Sequence, residues 1–343
     1  MIKHLPPELL GLVLRRLPSL ADRVRLRAFC HPWRSNARLQ SLPPPLPWLT
    51  LLDGTFLSIP DGEIIRMAIP DDAHCYGSID NWLFLMQRDG GCSLMNPFSK
   101  ATLDLPKLAT VWRGDWFNAL SQFNPLFYKV VVPSPLDTSP EFVAVLILDD
   151  GNYSRVCICQ PPVSTDMSRG GSMEPSTDLG DVAFCNGKLY GVAFCDRLLM
   201  FEIVECCDRL LRVKRYVHND CPNSTSLPFE HDCTVGFTVF EADLSTNPGQ
   251  WRQVNKLGGQ ALIVRRHCSK SFAVEEYNGI QEDCIYFMCD YPWPDDPADP
   301  LRDSGVYNIR NGMITLLLSQ NTPVPQRNGG QWRPTWIFPA DPI

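Results

Sequence analysis

At residues 42–49, "LPPPLPWL", the hydrophobic period of the chain changes. Before this run, apolar residues recur at the three- and four-residue spacing of an amphipathic helix. After it they alternate or cluster in short runs bounded by turn residues, as strands do. A chain broken in this way is expected to fold as a small helical unit followed by a mainly β unit. Pro43, Pro44, Pro45 and Pro47 make the join between them stiff.

In the first unit, Pro6 and Pro7 suit the opening turn of a helix. Leu9, Leu10, Val13, Leu14 and Leu17 then form one broad apolar stripe, and Pro18 ends it. Ser19 is a reasonable N-cap with Asp22 three residues on, opening a second helix that carries Leu20, Val24 and Ala28. Pro32 opens a third, with Trp33, Ala37 and Leu39. Three helices this short bury little surface alone. The stripe is therefore expected to dock on the rest of the chain or on a partner.

Beyond residue 50 helical patterns nearly vanish. "CYGSIDNWLFLMQ" (75–87), "FVAVLIL" (142–148), "VAFCNGKLYGVAF" (182–194) and "GVYNIRNGMITLLL" (305–318) read as strands, with Asn186-Gly187 and Asn311-Gly312 as hairpin turns. Further strand groups fall near 127–160, 199–217 and 233–275. The β unit has 296 residues from position 48, and propeller blades take roughly 40–50 residues each, which predicts six or seven blades. A pair of large β-sandwiches is the alternative.

Charge divides at the same place. Residues 1–40 carry eight Lys/Arg against Glu8 and Asp22, whereas the rest carries 23 basic and 36 acidic residues. A basic head on an acidic body points to two modules with different partners. No apolar run reaches the length of a membrane span. The N-terminus lacks a basic segment leading into an apolar one, so the fourteen cysteines are expected to be free thiols in a reducing compartment, cytoplasmic and/or nuclear. The two Asn-x-Ser/Thr sites, at Asn152 and Asn223, are then chance matches.

Several side-chain groups invite a chemical reading. Cys30 and His31 are adjacent and could not easily share one metal, so interior packing is the better reading. His218-x-x-Cys221 and His231-x-Cys233 have a passable zinc spacing but no CxxC beside them. Cys206-Cys207 reads as part of a hairpin, and "PDDPADP" (294–300) as a solvated loop. The arginines of "RVRLRAFCHPWRSNAR" share their helix faces with Leu, Phe and Trp, which argues against nucleic acid. No nucleophile elbow, zinc-protease, P-loop or dinucleotide motif occurs. The expectation is a protein without catalytic residues, metal or cofactor.

"LPPELLGLVLRRLPSLADRVRLRAFCHPWRSNA" resembles an F-box, on Leu5, Pro6, Glu8, Leu9, Leu10, Asp22, Arg25, Cys30, Trp33 and Arg34. Phe29 stands where that family usually has Val, and His31 where it has a basic residue. The rest resembles the plant F-box proteins that carry a KIB-type β-propeller, through "LMNPFSKATLDLP" (94–106), "IVECCDRLLRVKR" (203–215), "FTVFEADLSTNPGQWRQVNKLGGQALIV" (237–264), "DCIYFMCD" (283–290) and "WIFP" (336–339). The resemblance implies an F-box over 1–41, a linker over 42–48 and a propeller over 49–343. It implies a substrate-recognition subunit of a Skp–cullin–F-box ubiquitin ligase. Leu5, Pro6, Leu9, Leu10, Leu14, Leu17, Cys30, Trp33 and Arg34 would bind the Skp-type adaptor, rim arginines including Arg23 would steer encounter, and the propeller would hold an unknown target protein. A scaffold acting outside a ligase and an enzyme with its site in the propeller channel are the alternatives. Relative to that family the span from Leu199 to Val204 is compressed, as if a strand were missing, which predicts one incomplete blade.

Overall fold

A computed structural model describes residues 6–17, 19–40, 42, 44–51, 54–59, 62–70, 72–87, 89–107, 127–136, 143–148, 154–159, 179–193, 200–219, 232–245, 249–277, 279–288, 303–318 and 334–339. Three helices come first: α1 (Pro7–Arg16), α2 (Leu20–Ala28) and α3 (His31–Arg38). Glu8 in the first turn of α1 and Arg15 and Arg16 in its last oppose the helix dipole in the favourable sense. The Ser19 hydroxyl accepts a hydrogen bond from the Asp22 N–H at 3.4 Å and caps α2, while Pro32 sits in the first turn of α3. Leu10, Leu14, Trp33 and Ala37 form the buried centre of this head, with Leu17, Leu26, Cys30 and Leu42 packed around it.

The strands that follow form sheets arranged in a ring. Sheet I holds β1 (Trp48–Thr50), β2 (Thr55–Ser58) and β3 (Ile64–Arg66). Sheet II holds β4 (Ala73–Ile79), β5 (Trp82–Gln87), β6 (Cys92–Met95) and β7 (Thr102–Leu105). Sheet III holds β8 (Phe127–Val131), β9 (Val143–Leu148) and β10 (Ser154–Cys159). A two-stranded hairpin, β11 (Leu179–Cys185) and β12 (Lys188–Ala193), comes next. Sheet IV holds β13 (Met200–Cys206), β14 (Arg209–Asn219), β15 (Asp232–Asp243) and β16 (Gln250–Val254). Sheet V holds β17 (Gln260–Val264), β18 (Lys270–Ala273), β19 (Cys284–Phe287), β20 (Gly305–Asn308) and β21 (Ile314–Thr315), in the order β18-β17-β19-β20-β21 with β17 and β19 parallel. The last strand, β22 (Trp336–Ile337), returns to pair with β1 in sheet I.

Each sheet buries an apolar face against the next, as alternation along a strand with two covered faces requires. Phe56 and Leu83 share a buried cluster between sheets I and II, Phe84 and Val145 one between II and III, and Leu146 and Val182 one at the hairpin. Cys185 and Leu210 share a cluster between hairpin and sheet IV, Val213 and Phe287 one between IV and V, and Ile263, Leu49 and Trp336 one where V returns to I. The closure is stitched further: the Thr50 N–H donates to the Thr335 carbonyl and the Thr335 N–H to Thr50 Oγ1, both at 2.8 Å.

One expectation needs correcting. Six or seven blades were expected; among the described residues five sheets of three to five strands make up the propeller, with the hairpin between III and IV. Sheet IV takes residues 200–254 and sheet V residues 260–315, so each uses more chain than the assumed repeat. The hairpin has two strands and lies just before the compressed span. The proline run joins head to ring and packs on the ring. Pro45, Leu46, Pro47 and Trp48 are buried, and Leu46 belongs to the core between sheets V and I. Leu20 of α2 packs in the cluster of Trp48, Phe56 and Leu83, and Arg25 pairs with Glu63, so the head rests directly on the ring.

Candidate interaction surfaces

The head buries some of its apolar side chains and leaves others exposed. Leu10, Leu14 and Trp33, expected to touch a partner, are 1 %, 0 % and 7 % exposed and hold the three helices to each other. Leu17 and Cys30 are half-buried against the same centre; Pro6 and Arg34 are exposed, and Leu5 lies outside the described residues. Of the expected leucines, Leu9 faces out, 48 % exposed. Beside it on α1 are Leu12 (53 %) and Val13 (42 %), and beyond α2 lies Phe29 (65 %), its ring 5.2 Å from that of Trp33. Leu12 and Phe29 were not among the expected contact residues. The signal was there: α1 carries more apolar residues than one stripe needs, and Leu9, Leu12 and Val13 share a side distinct from Leu10, Leu14 and Leu17.

Arg23 also departs from expectation. It is buried, and its Nε donates to the Leu17 carbonyl at 2.8 Å, satisfying a backbone acceptor at the C-terminal end of α1. It caps a helix rather than lining a rim. Among the described residues, Arg15, Arg16, Arg25 and Arg34 are exposed cations of the head.

In the ring, β4, β8, β11, β13 and β18 touch in succession around the centre, and β22 touches β4. One end of this channel opens into a cavity of about 480 Å³, lined by Ser78–Asp80, Lys129–Pro135, Ala183–Gly187, Ile203–Glu205, Asp208, Cys268–Ser271 and Phe338. Tight turns surround it: Asp80, Asn186, Cys207 and Asp208 all have positive φ, values that Asn and Asp tolerate best among residues with side chains. Lys270 pairs with Asp80 and lies over the Phe338 ring, 5.1 Å from its centroid. Deeper, Lys129 Nζ donates to both carboxylate oxygens of Asp181 at 2.7 and 2.9 Å, and the Val182 and Ile203 N–H groups donate to the same carboxylate, each at 2.7 Å. Burial pushes the Asp181 carboxyl above its usual range, against the pull of Lys129. The pair joins β8, β11 and β13, which ties the hairpin to both neighbours.

Burial pushes the Cys75 thiol up to about 12 and those of Cys159 and Cys206 to about 11, so they are not thiolates at neutral pH. None of the eleven described cysteines forms a disulfide. Cys206 is buried while Cys207 is exposed at a turn, so the adjacent pair faces two environments. His218 and Cys233 stand opposite each other on β14 and β15, whereas Cys221 and His231 lie outside the described residues. Among the described residues no group of three or more His, Cys, Asp or Glu side chains could hold a metal ion, and no helix is long and apolar enough to cross a membrane.

Residues 56–308 match the family described as KIB1-4 beta-propeller. An F-box protein of Arabidopsis thaliana is 24 % identical over 332 residues, covering 83 % of this chain and 94 % of that protein. A putative F-box protein of the same plant is 23 % identical over 352 residues, covering 90 % and 88 %. No solved structure matches the chain significantly.

Proposed function

Because the chain belongs to the KIB1-4 beta-propeller family, and is similar over most of its length to plant F-box proteins, we propose that it is the substrate-recognition subunit of a Skp–cullin–F-box ubiquitin ligase. Residues 1–41 act as the F-box, 42–48 as the link and 49–343 as the target-holding propeller. The observation that carries this reading is that Leu9, Leu12 and Val13 on one side of α1, and Phe29 at the end of α2, stay exposed outside the head's own core. A face of this kind suits an adaptor surface that is apolar at its centre and acidic at its edge. The protein performs no chemistry itself. It holds a target near a ubiquitin-conjugating enzyme, so that the lysines of the target meet the enzyme at high effective concentration. Burial of Leu20 in the ring and the Arg25–Glu63 pair keep head and ring in one orientation. Such an assembly would work in the cytoplasm, the nucleus or both.

The test is capture of a purified Skp-type adaptor by the full chain and by Leu12→Glu and Phe29→Glu. Each variant is expected to lose capture, since exposed anchors at the centre of an interface commonly contribute about 2 kcal/mol or more. Undiminished capture by both overturns the assignment of this face. Adaptor capture without cullin in the same complex would favour a scaffold outside a ligase.

A further inference from the structure

The cavity at the end of the channel, about 480 Å³, is of a size that takes ligands. Its interior and its mouth differ. Val130 and Val131 of β8 and Ile203 and Val204 of β13 line it and are buried, and Phe338 adds a ring. Two cations line it as well, and each is already matched, Lys129 by Asp181 and Lys270 by Asp80. Glu205 and Asp208 also line it, and both are exposed. Among the described residues no cation pairs with either carboxylate. The mouth therefore carries two negative charges that no described cation offsets.

Those carboxylates are held in place. The Asp208 N–H donates to Glu205 Oε1 at 2.8 Å, within the turn between β13 and β14. The Asp208 carbonyl accepts from Asn186 Nδ2 at 3.2 Å and from Cys185 Sγ at 3.5 Å, which ties this turn to that of β11 and β12. The negative field reaches inward: burial pushes the Cys185 thiol up, and Glu205 and Asp208 push it further. Apolar walls inside and fixed negative charge outside set the chemistry of an occupant. An apolar part belongs within the cavity and a cationic part beyond its mouth. A segment of protein chain supplies both at neighbouring positions, and a rigid rim spares it the cost of ordering the site.

We propose that this cavity is the socket for a segment of a partner protein in which a large apolar residue is flanked by Lys or Arg. The apolar side chain enters between Val131 and Ile203, and the flanking cations face Glu205 and Asp208. This rests on the reading of the ring as the target-holding part, and it adds where the target is held and by what chemistry.

The probe is a fluorescent pentapeptide, Gly-Arg-Phe-Arg-Gly, titrated against the full chain by anisotropy. It is expected to bind, and peptides with Gly in place of Phe, or with Glu in place of both Arg, to bind at least about tenfold more weakly. Glu205→Gln with Asp208→Asn should weaken the Arg-Phe-Arg peptide by about tenfold. Gln still accepts the N–H of residue 208, and Asn tolerates the positive φ there, so the turn is kept. Ser134→Trp, on the cavity wall, should block the peptide. The peptide series and the Gln/Asn variant keep the test valid even if the Trp variant folds poorly. Equal binding of the Gly-substituted peptide would mean attraction to the acidic ring as a whole. Competition by 2-phenylethylammonium at the peptide's own affinity would mean a site for a small amphiphilic cation. Either result, no binding of the Arg-Phe-Arg peptide, or binding indifferent to the Gln/Asn variant overturns the proposal. None of these readouts involves the adaptor, so failure here leaves the ligase assignment to be judged by adaptor capture.

Discussion

The helical head and the ring are stabilised in different ways. The ring is redundant: every sheet buries a face against the next, and the seam between first and last is held by a backbone ladder, two threonine bonds and the fully buried Trp336. The head has a centre of four buried side chains, and one of its leucines, Leu20, is spent in the core of the ring instead. A unit with so small a centre leans on what it touches. The head should therefore depend on the ring for stability, while the ring should not depend on the head.

The strongest way to break that asymmetry is at the seam. Trp336→Ala opens a cavity where β22 meets β1 and is expected to cost about 3–5 kcal/mol. Thermal unfolding should show the ring melting at lower temperature, with the head melting alongside it because Leu20 loses its support. A head that survives loss of the ring would show that the two are independent domains.

Asp181 tests redundancy within the ring. Asp181→Ala leaves Lys129 buried without its carboxylate, along with the Val182 and Ile203 N–H groups, and breaking such a pair commonly costs about 3 kcal/mol or somewhat more. Lys129→Met with Asp181→Leu should recover much of that cost, because apolar replacement of both partners removes the desolvation penalty. The damage should centre on β11, read as faster hydrogen exchange there, with the seam at β1 and β22 still protected. Uniform loss of protection around the ring would show that the hairpin is as integral as a full sheet.

How much of this the sequence disclosed follows from the same contrast. Strands covered on both faces announce themselves: "VAVLIL" is β9, and Asn186-Gly187 marks the hairpin turn. The sheet count was harder, because the long β14 and β15 and the parallel pairing of β17 with β19 lengthen sheets IV and V in a way no local pattern encodes. In the head, helix existence and caps were legible from Pro7, Ser19 and Pro32. Which apolar face turns inward was not. Leu9 and Leu10 are neighbours of the same type, and their separate fates depend on where α3 docks. Arg23 was misread for a related reason: a cation in a basic stretch looks solvated until the helix end that it caps is located.

Arg23 therefore supplies the finest test of the contrast. Arg23→Met removes the donor to the Leu17 carbonyl, a buried bond from a charged group, and should cost about 2 kcal/mol. The loss should be confined to the head: faster hydrogen exchange in α1 and weaker adaptor capture, with the melting temperature of the ring unchanged. Arg16→Glu, at an exposed position on α1, should do the reverse. It should leave stability within about 0.5 kcal/mol, slow association with an acidic adaptor, and lose its effect as salt rises. Salt dependence therefore separates the two arginines. If the Arg23→Met defect also fades with salt, Arg23 acts as a surface charge and the capping role is wrong. If the ring melts early in that variant, the head supports the ring, and the asymmetry between the two regions runs the other way.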